Sequence, residues 1–168
     1  LTLFLAAFTL TVAGCDDGSQ PSASSQPTDA TLSWKLDAMP EGAVEVAQAK
    51  QSVKEGDQVA VIGRIGGRME PITASSGLFV IMDPALPACS DNPGDGCTTP
   101  WDYCCESQKT IATNAATVQL RDAEGNPIVL AEGELKPLDR VAVVGTVAPR
   151  PNDDTLIVHA TGVHVVTP

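Results

Sequence analysis

"GDQVAVIGRIGG", residues 56–67, and "LDRVAVVGTVA", residues 138–148, decide the fold, because they are nearly one pattern written twice. Each opens on an Asp, alternates Val with smaller residues, and reaches a Gly after two Val steps. Strict alternation of this kind places Val59 and Val61, and again Val141 and Val143, on one face of a strand. Gly63 interrupts the first run as at a bulge. Working outward, "GLFVIMD" (77–83) is a continuous apolar run ended by Asp-Pro. "ATVQLRDAEGNPIVL" (116–130) reads as two strand runs around the turn formers of "DAEGN". "TLIVHATGVHVVT" (155–167) closes the chain with two further runs split by Gly162. Helix signals are few. "PEGAVEVAQAKQSVKEGD" (40–57) puts Val44, Ala47, Ala49 and Val53 on a helical face, with Gly56 as the stop, and "AEGELKPLD" allows a single turn.

Five strand blocks of this kind predict an all-β domain, a small closed or partly open barrel with a short N-terminal helix. Its expected core is Val59, Val61, Phe79, Ile81, Val118, Leu120, Val141, Val143 and Ile157. The series "GDQVAVIGRIGG … GLFVIMD … TVQLRDAEGNPIVL … LDRVAVVGTVA … TLIVHATGVHVV" is similar to the OB-fold, especially its tRNA-anticodon-type and exported bacterial versions, over about residues 55–166. That resemblance implies a small five-stranded Greek-key barrel, a binding fold whose ligands lie across strands two and three and the flanking loops. It carries no catalytic signature.

The chain departs from such a domain between its second strand, ending at Asp83, and its third, starting near Thr117. The intervening segment, expected as an insertion over 84–110, holds "CSDNPGDGCTTPWDYCC" (89–105). Connections of that length in compact domains are usually functional or separately stapled. Zinc ribbons need paired C-x2-C hooks. Cys89, Cys97, Cys104 and Cys105 offer none, and no His lies in the loop. No thioredoxin-type C-x-x-C is present either. The segment is rich in Pro, Gly and Asp and poor in aliphatics, so it cannot build a core of its own. In an oxidising compartment the even count of four favours two disulfides, each worth ~3 kcal/mol for a loop of about 15 residues. Three connectivities exist. The vicinal bridge is the least favourable, which leaves Cys89 and Cys97 each paired with one of Cys104 and Cys105. Trp101 and Tyr103 are expected over the sulfurs or on the barrel. The alternative is a metal-binding or thiol-redox protein that uses the same four cysteines.

The compartment is argued from the other end of the chain. Residues 1–13, "LTLFLAAFTLTVA", carry no charge and are too short to span the ~30 Å hydrocarbon core, but they suit the apolar region of an export signal. With Gly14 and Cys15 they resemble a bacterial lipoprotein signal, "VAGC" standing as the lipobox. The resemblance implies that Cys15 is lipidated and becomes the first mature residue, with several acyl chains sufficing for stable anchoring. No Met and no Lys or Arg precedes the apolar run, as expected of a chain truncated or started at a misread codon. Residues 16–31 are polar and read as a flexible tether, leaving 32–168 for one barrel domain. The expected location is the bacterial cell envelope, with the domain held to the membrane by lipid and facing the periplasm or the exterior.

A net charge of −11 excludes a phosphate-backbone binder, which needs a basic surface. The expected partners are therefore the membrane, through the lipid, and an envelope protein, peptide or glycan, with no nucleic acid. No cofactor is expected beyond the covalent lipid at Cys15. His159 and His164 fall on opposite faces of a regular strand, unless Gly162 marks a bulge, and are read as satisfied or solvent-facing. Asp91, Asp95 and Asp102 lack calcium-loop spacing and read as turn carboxylates. Ser75 and Ser76 have no His partner nearby in sequence. No G-x-S-x-G, H-E-x-x-H or P-loop occurs, so a binding module, and not an enzyme, is the expected function.

Overall fold

The computed structural model describes residues 34–166 except 93 and 95. Cys15 with its lipobox, the tether over 16–31, and Asp95 therefore lie outside the described residues. The strands are β1 (Val44–Glu45), β2 (Gln58–Ile65), β3 (Ile72–Thr73), β4 (Leu78–Met82), β5 (Ala115–Leu120), β6 (Arg140–Val147) and β7 (Ile157–Val165), with helices α1 (Val46–Ser52) and α2 (Gln108–Asn114).

Strand pairing closes a barrel. β2 pairs β6, β6 pairs β7, β7 pairs β5, β5 pairs β4, and β4 returns to β2, where Arg64 meets Met82 and Ile65 meets Ile81. Only β5 and β7 run parallel within this ring. In chain order the ring reads first, second, third, fifth, fourth, the OB-fold order that the resemblance implied. β1 and β3 are two-residue additions on β2 and β4. Closure pairs each of the five barrel strands with two others of the ring.

Gly63 makes the closure possible, though not as a bulge: it pairs in register with Val141. A Cβ there would sit 2.7 Å from the Cβ of Ile81, because β4 crosses β2 at this point. A residue without a side chain lets β2 coil from β6 onto β4. The bulge lies elsewhere. Val144 pairs Gly162 while Gly145 pairs Ala160, so Thr161 is the extra residue on β7. β7 is accordingly one strand through Gly162 and not two runs.

The core holds Val61, Ile65, Phe79, Ile81, Val118, Leu120, Val141 and Val143, with Val59 partly buried against it. Burying each such side chain contributes on the order of 1.5–3 kcal/mol. One expected member is out of phase: Ile157 is half-buried, and its neighbours Leu156 and Val158 take the interior. The core also takes Trp34, whose carbonyl accepts from Val163 N–H, so that residues 34–36 line β7.

Two local expectations are corrected. "NPIVL" is not a strand. Pro127 makes a single bridge to Arg121 and Val129 is exposed, since Pro supplies no donor to extend a ladder. The helix is shorter than its periodicity suggested, because Val44 belongs to β1 and the helix stops at Ser52, before Gly56. Within α1, Val46 and Ala49 enter the core. The Glu45 side chain does not cap this helix. The buried Asp83 does so from across the fold, its Oδ2 accepting from Ala47 N–H at 2.8 Å. No helix among the described residues is long and apolar enough to cross a membrane.

Candidate functional site: the thiol-bearing insertion

The segment between β4 and β5 leaves and rejoins the sheet at one place, where Asp83 N–H donates to the Asn114 carbonyl at 2.8 Å. α2 occupies its return limb. Ser107 caps that helix by accepting from Thr110 N–H at 3.1 Å, the arrangement that satisfies a first-turn donor.

The insertion lies on the outer face of β4. Val80 and Met82 alternate with the core residues Phe79 and Ile81 and so point outward from β4, yet they are 3% and 0% exposed. They form a second apolar cluster with Ala88 and Tyr103, flanked by Leu86, Ile111, Ala115 and Leu138. Tyr103, 1% exposed, is the anchor. Its hydroxyl accepts from Arg64 Nε at 3.3 Å, and Arg64 makes a two-pronged pair with Asp91, 3.1 Å and 2.5 Å. This bidentate geometry is the strong form of an Arg–carboxylate contact. Asp91 Oδ2 also accepts from Ala88 N–H at 2.9 Å, and the Arg64 guanidinium holds its carboxyl below the ordinary Asp value.

Trp101 fixes the other side. Its indole N–H reaches the carbonyls of Arg68 and Met69 at 3.1 and 3.2 Å, and its own carbonyl accepts from Gly67 N–H at 2.9 Å. A Cβ on Gly66 would stand 2.3 Å from that carbonyl. The "GG" at the end of the deciding stretch is thus the seat of the insertion. Within the insertion the two limbs pair, Cys89 N–H to Asp102 O and Ser90 N–H to Pro100 O, each 2.8 Å.

These contacts bring three sulfurs together. Cys89 Sγ lies 3.3 Å from Cys104 Sγ, Cys97 Sγ lies 3.9 Å from Cys104 Sγ, and all three are within 4.8 Å of one another. Cys89 is buried, Cys97 half-buried and Cys104 exposed. Cys105 is exposed and stands outside this trio. Burial pushes the Cys89 thiol up to about 12. Cys97 moves the opposite way, its sulfur stabilised as thiolate by the Thr99 hydroxyl and backbone. At Cys104 the hydrogen bond with Cys89 lowers the value, but the bond with Cys97, burial and the neighbouring thiols outweigh it and raise the value overall.

The other candidates disperse. Asp91 belongs to Arg64, and Asp102 accepts from Tyr103 N–H at 2.8 Å. The bulge at Thr161 turns His159 and His164 to the same, outer side: each is half-buried while Val158, Ala160 and Val163 are interior. His164 Nδ1 bonds the Leu36 carbonyl at 2.9 Å. His159 is held below the ordinary His value by burial, with Arg121 adding to the effect. Ser76 donates to the Thr73 carbonyl.

A cavity of about 500 Å³ lies away from the thiols, lined by Lys50, Lys54, Thr113, Arg150, Asp153 and Asp154 among others. Nothing in the periodicity of "VAQAKQS" marks Lys50 as buried, yet its Nζ donates to the carbonyls of Ala112 and Asp154. Burial lowers its value to about 8.

No family model matches the chain, and no curated protein matches it. Among solved structures it is similar to the hypothetical protein ygiW from E. coli, with 17% identity and a TM-score of 0.40 over 76% of this chain and 94% of that one. The telomere capping protein Ten1 from Schizosaccharomyces pombe gives 7% identity and a TM-score of 0.35 over 73% and 78%. A putative aspartyl-tRNA synthetase from Leishmania major Friedlin gives 10% and 0.44 over 79% of this chain, which spans 22% of that protein. These likenesses stand beside a barrel order that the strand pairing establishes by itself.

Proposed function

We propose that this chain is a lipid-anchored binding module of the bacterial cell envelope, and that its binding chemistry sits on the thiol-bearing insertion and not on bare barrel strands. One observation carries this reading: the outer face of β4, the usual ligand platform of this barrel, is covered by the insertion through Val80, Met82 and Tyr103. What that side presents to solvent is the insertion itself. The "VAGC" resemblance at residues 12–15 supports the anchor, and the net charge of −11 directs the surface toward cations, proteins or glycans and away from nucleic acid.

Two measurements test the reading. The chain, produced in a bacterial host behind a start codon and a basic leader, should label with palmitate and partition into detergent, and Cys15→Ser should lose both. Amides of β4 should exchange as slowly as those of β6 if the insertion covers them. Retained partitioning in Cys15→Ser, or fast exchange at Val80 and Met82, overturns it.

A second reading is favoured by the 3.3 Å approach of Cys89 to Cys104: Cys89 and Cys97 each form a disulfide with one of the vicinal pair, and the insertion is a covalent brace. Alkylation without reductant would then find no reactive thiol among the four.

A further inference from the structure

We propose that Cys89, Cys97 and Cys104 form a three-thiolate site for a soft d10 metal ion, Cu(I) or Zn(II), at the exposed rim of the insertion. This rests on the binding reading above and names its ligand.

Geometry comes first. Thiolates ~2.3 Å from one zinc ion stand roughly 3.8 Å apart around a tetrahedron. The sulfurs here are separated by 3.3 and 3.9 Å, with all three inside 4.8 Å. A single ion can reach all three with shifts of a few tenths of an ångström. Chemistry then selects the ion. Among the described residues, this trio is the group of His, Cys, Asp or Glu ligand atoms that converges, and it contains no oxygen or imidazole. Calcium and magnesium require oxygen ligands, whereas thiolates select copper(I) and zinc.

The site is also held in place without its sulfurs. Cys89 is fixed by its N–H bond to Asp102 O, by the Ser90–Pro100 pair, and by Asp91 in the grip of Arg64. Cys104 follows directly on the buried Tyr103. The polypeptide therefore gathers the trio before any ion arrives, which lowers the ordering cost of binding. Loading displaces one proton per thiol to solvent and involves no change of oxidation state.

Three ligands, one buried, one half-buried and one exposed, differ from a structural zinc centre, which is closed by four. Copper(I) is satisfied by three thiolates. Zinc would keep a fourth position for a water or a ligand from another molecule. Either way the ion sits where it can be exchanged with solvent or a partner.

The reduced full chain is titrated anaerobically with Cu(I) against bicinchoninate and with Zn(II) against a chromophoric chelator. Expected is one equivalent bound. Cys104→Ser should weaken it by at least the ~100-fold that marks loss of an outer-shell partner, while Cys105→Ser leaves it unchanged. Both positions are exposed, so folding does not confound the pair. Tight Cu(I) binding with weak Zn(II) assigns a trigonal site. Tight Zn(II) binding, strengthened by a small added thiol, assigns the open tetrahedral one. Failure of both metals to bind, equal losses in the two variants, or two disulfides forming in the presence of metal would overturn the proposal. Because anchoring and β4 protection are read independently, either proposal can fail alone.

Discussion

The barrel and the insertion are built from different materials. The barrel is aliphatic, closed by continuous ladders, and its core residues sit on alternating positions of β2, β4, β5, β6 and β7. The insertion has one short helical turn and one seven-residue helix, and it adheres through Tyr103 and Trp101, one bidentate ion pair and a few backbone bonds. Contacts of the first kind are cooperative over the whole ring. Those of the second kind are few and separable. The difference teaches that this chain carries a stable platform and a locally held surface whose stabilities are set by separate residues.

Mutations should split the two. Phe79→Ala opens a hole in the barrel and is expected to lower global stability by about 3–5 kcal/mol, seen as a fall in the urea midpoint with an unchanged slope. Tyr103→Ala should cost about 1.5–3 kcal/mol and spend it locally: amides of 84–106 exchange faster while β5, β6 and β7 stay protected. If β6 and β7 loosen as much as the insertion does, the two regions are one cooperative unit and the division fails.

A smaller effect sharpens the contrast by pH. The Asp91 carboxyl is held below its ordinary value by Arg64, so its contribution is present above about pH 4 and is lost as pH falls through the depressed value. The pair is partly exposed, which limits it to about 0.2–1 kcal/mol. Acid should therefore release the insertion before the barrel unfolds, as read by Tyr103 fluorescence, and Asp91→Asn should remove that early step. The smallest change is expected at Trp34. Its indole N–H is buried without a hydrogen-bond partner among the described residues, so Trp34→Phe relieves an unpaired donor while leaving a smaller ring. These oppose, and the midpoint should move by less than about 1 kcal/mol. A larger loss would show that the indole nitrogen has a partner in solution.

The barrel was legible because a strand repeats every two residues and the Val, Ile and Leu of β2, β5 and β6 keep that beat. Legibility failed where the beat breaks. Thr161 adds a residue to β7, which puts both histidines outside, and Ile157 slipped by one position against Val158. The unbroken apolar run "LFVIM" marks a strand, but nothing local says that its outer side is covered, or by what. The answer came from Ala88, just past the strand, and from Tyr103 on the far limb of the insertion. The meeting of Cys89 and Cys97 with the vicinal pair is an expectation of the sequence, but which of Cys104 and Cys105 joins them is not, since adjacent residues share one spacing. Lys50 and Trp34 gave no signal either, each being buried by elements that approach from far along the chain.

The hydrogen bond from Asp83 to Asn114 has a consequence for how such a molecule can change. A segment whose two ends already touch meets the sheet through a single doorway, and the entropy of closing it grows only with the logarithm of its length, ~0.6 kcal/mol for each doubling. Its length and content are thus almost decoupled from strand register. The barrel behaves as a chassis and the insertion as an exchangeable cartridge. New side-chain chemistry can be tried there by descent or by an engineer, at the cost of re-covering Val80 and Met82 and of giving Arg64 and Lys50 new partners.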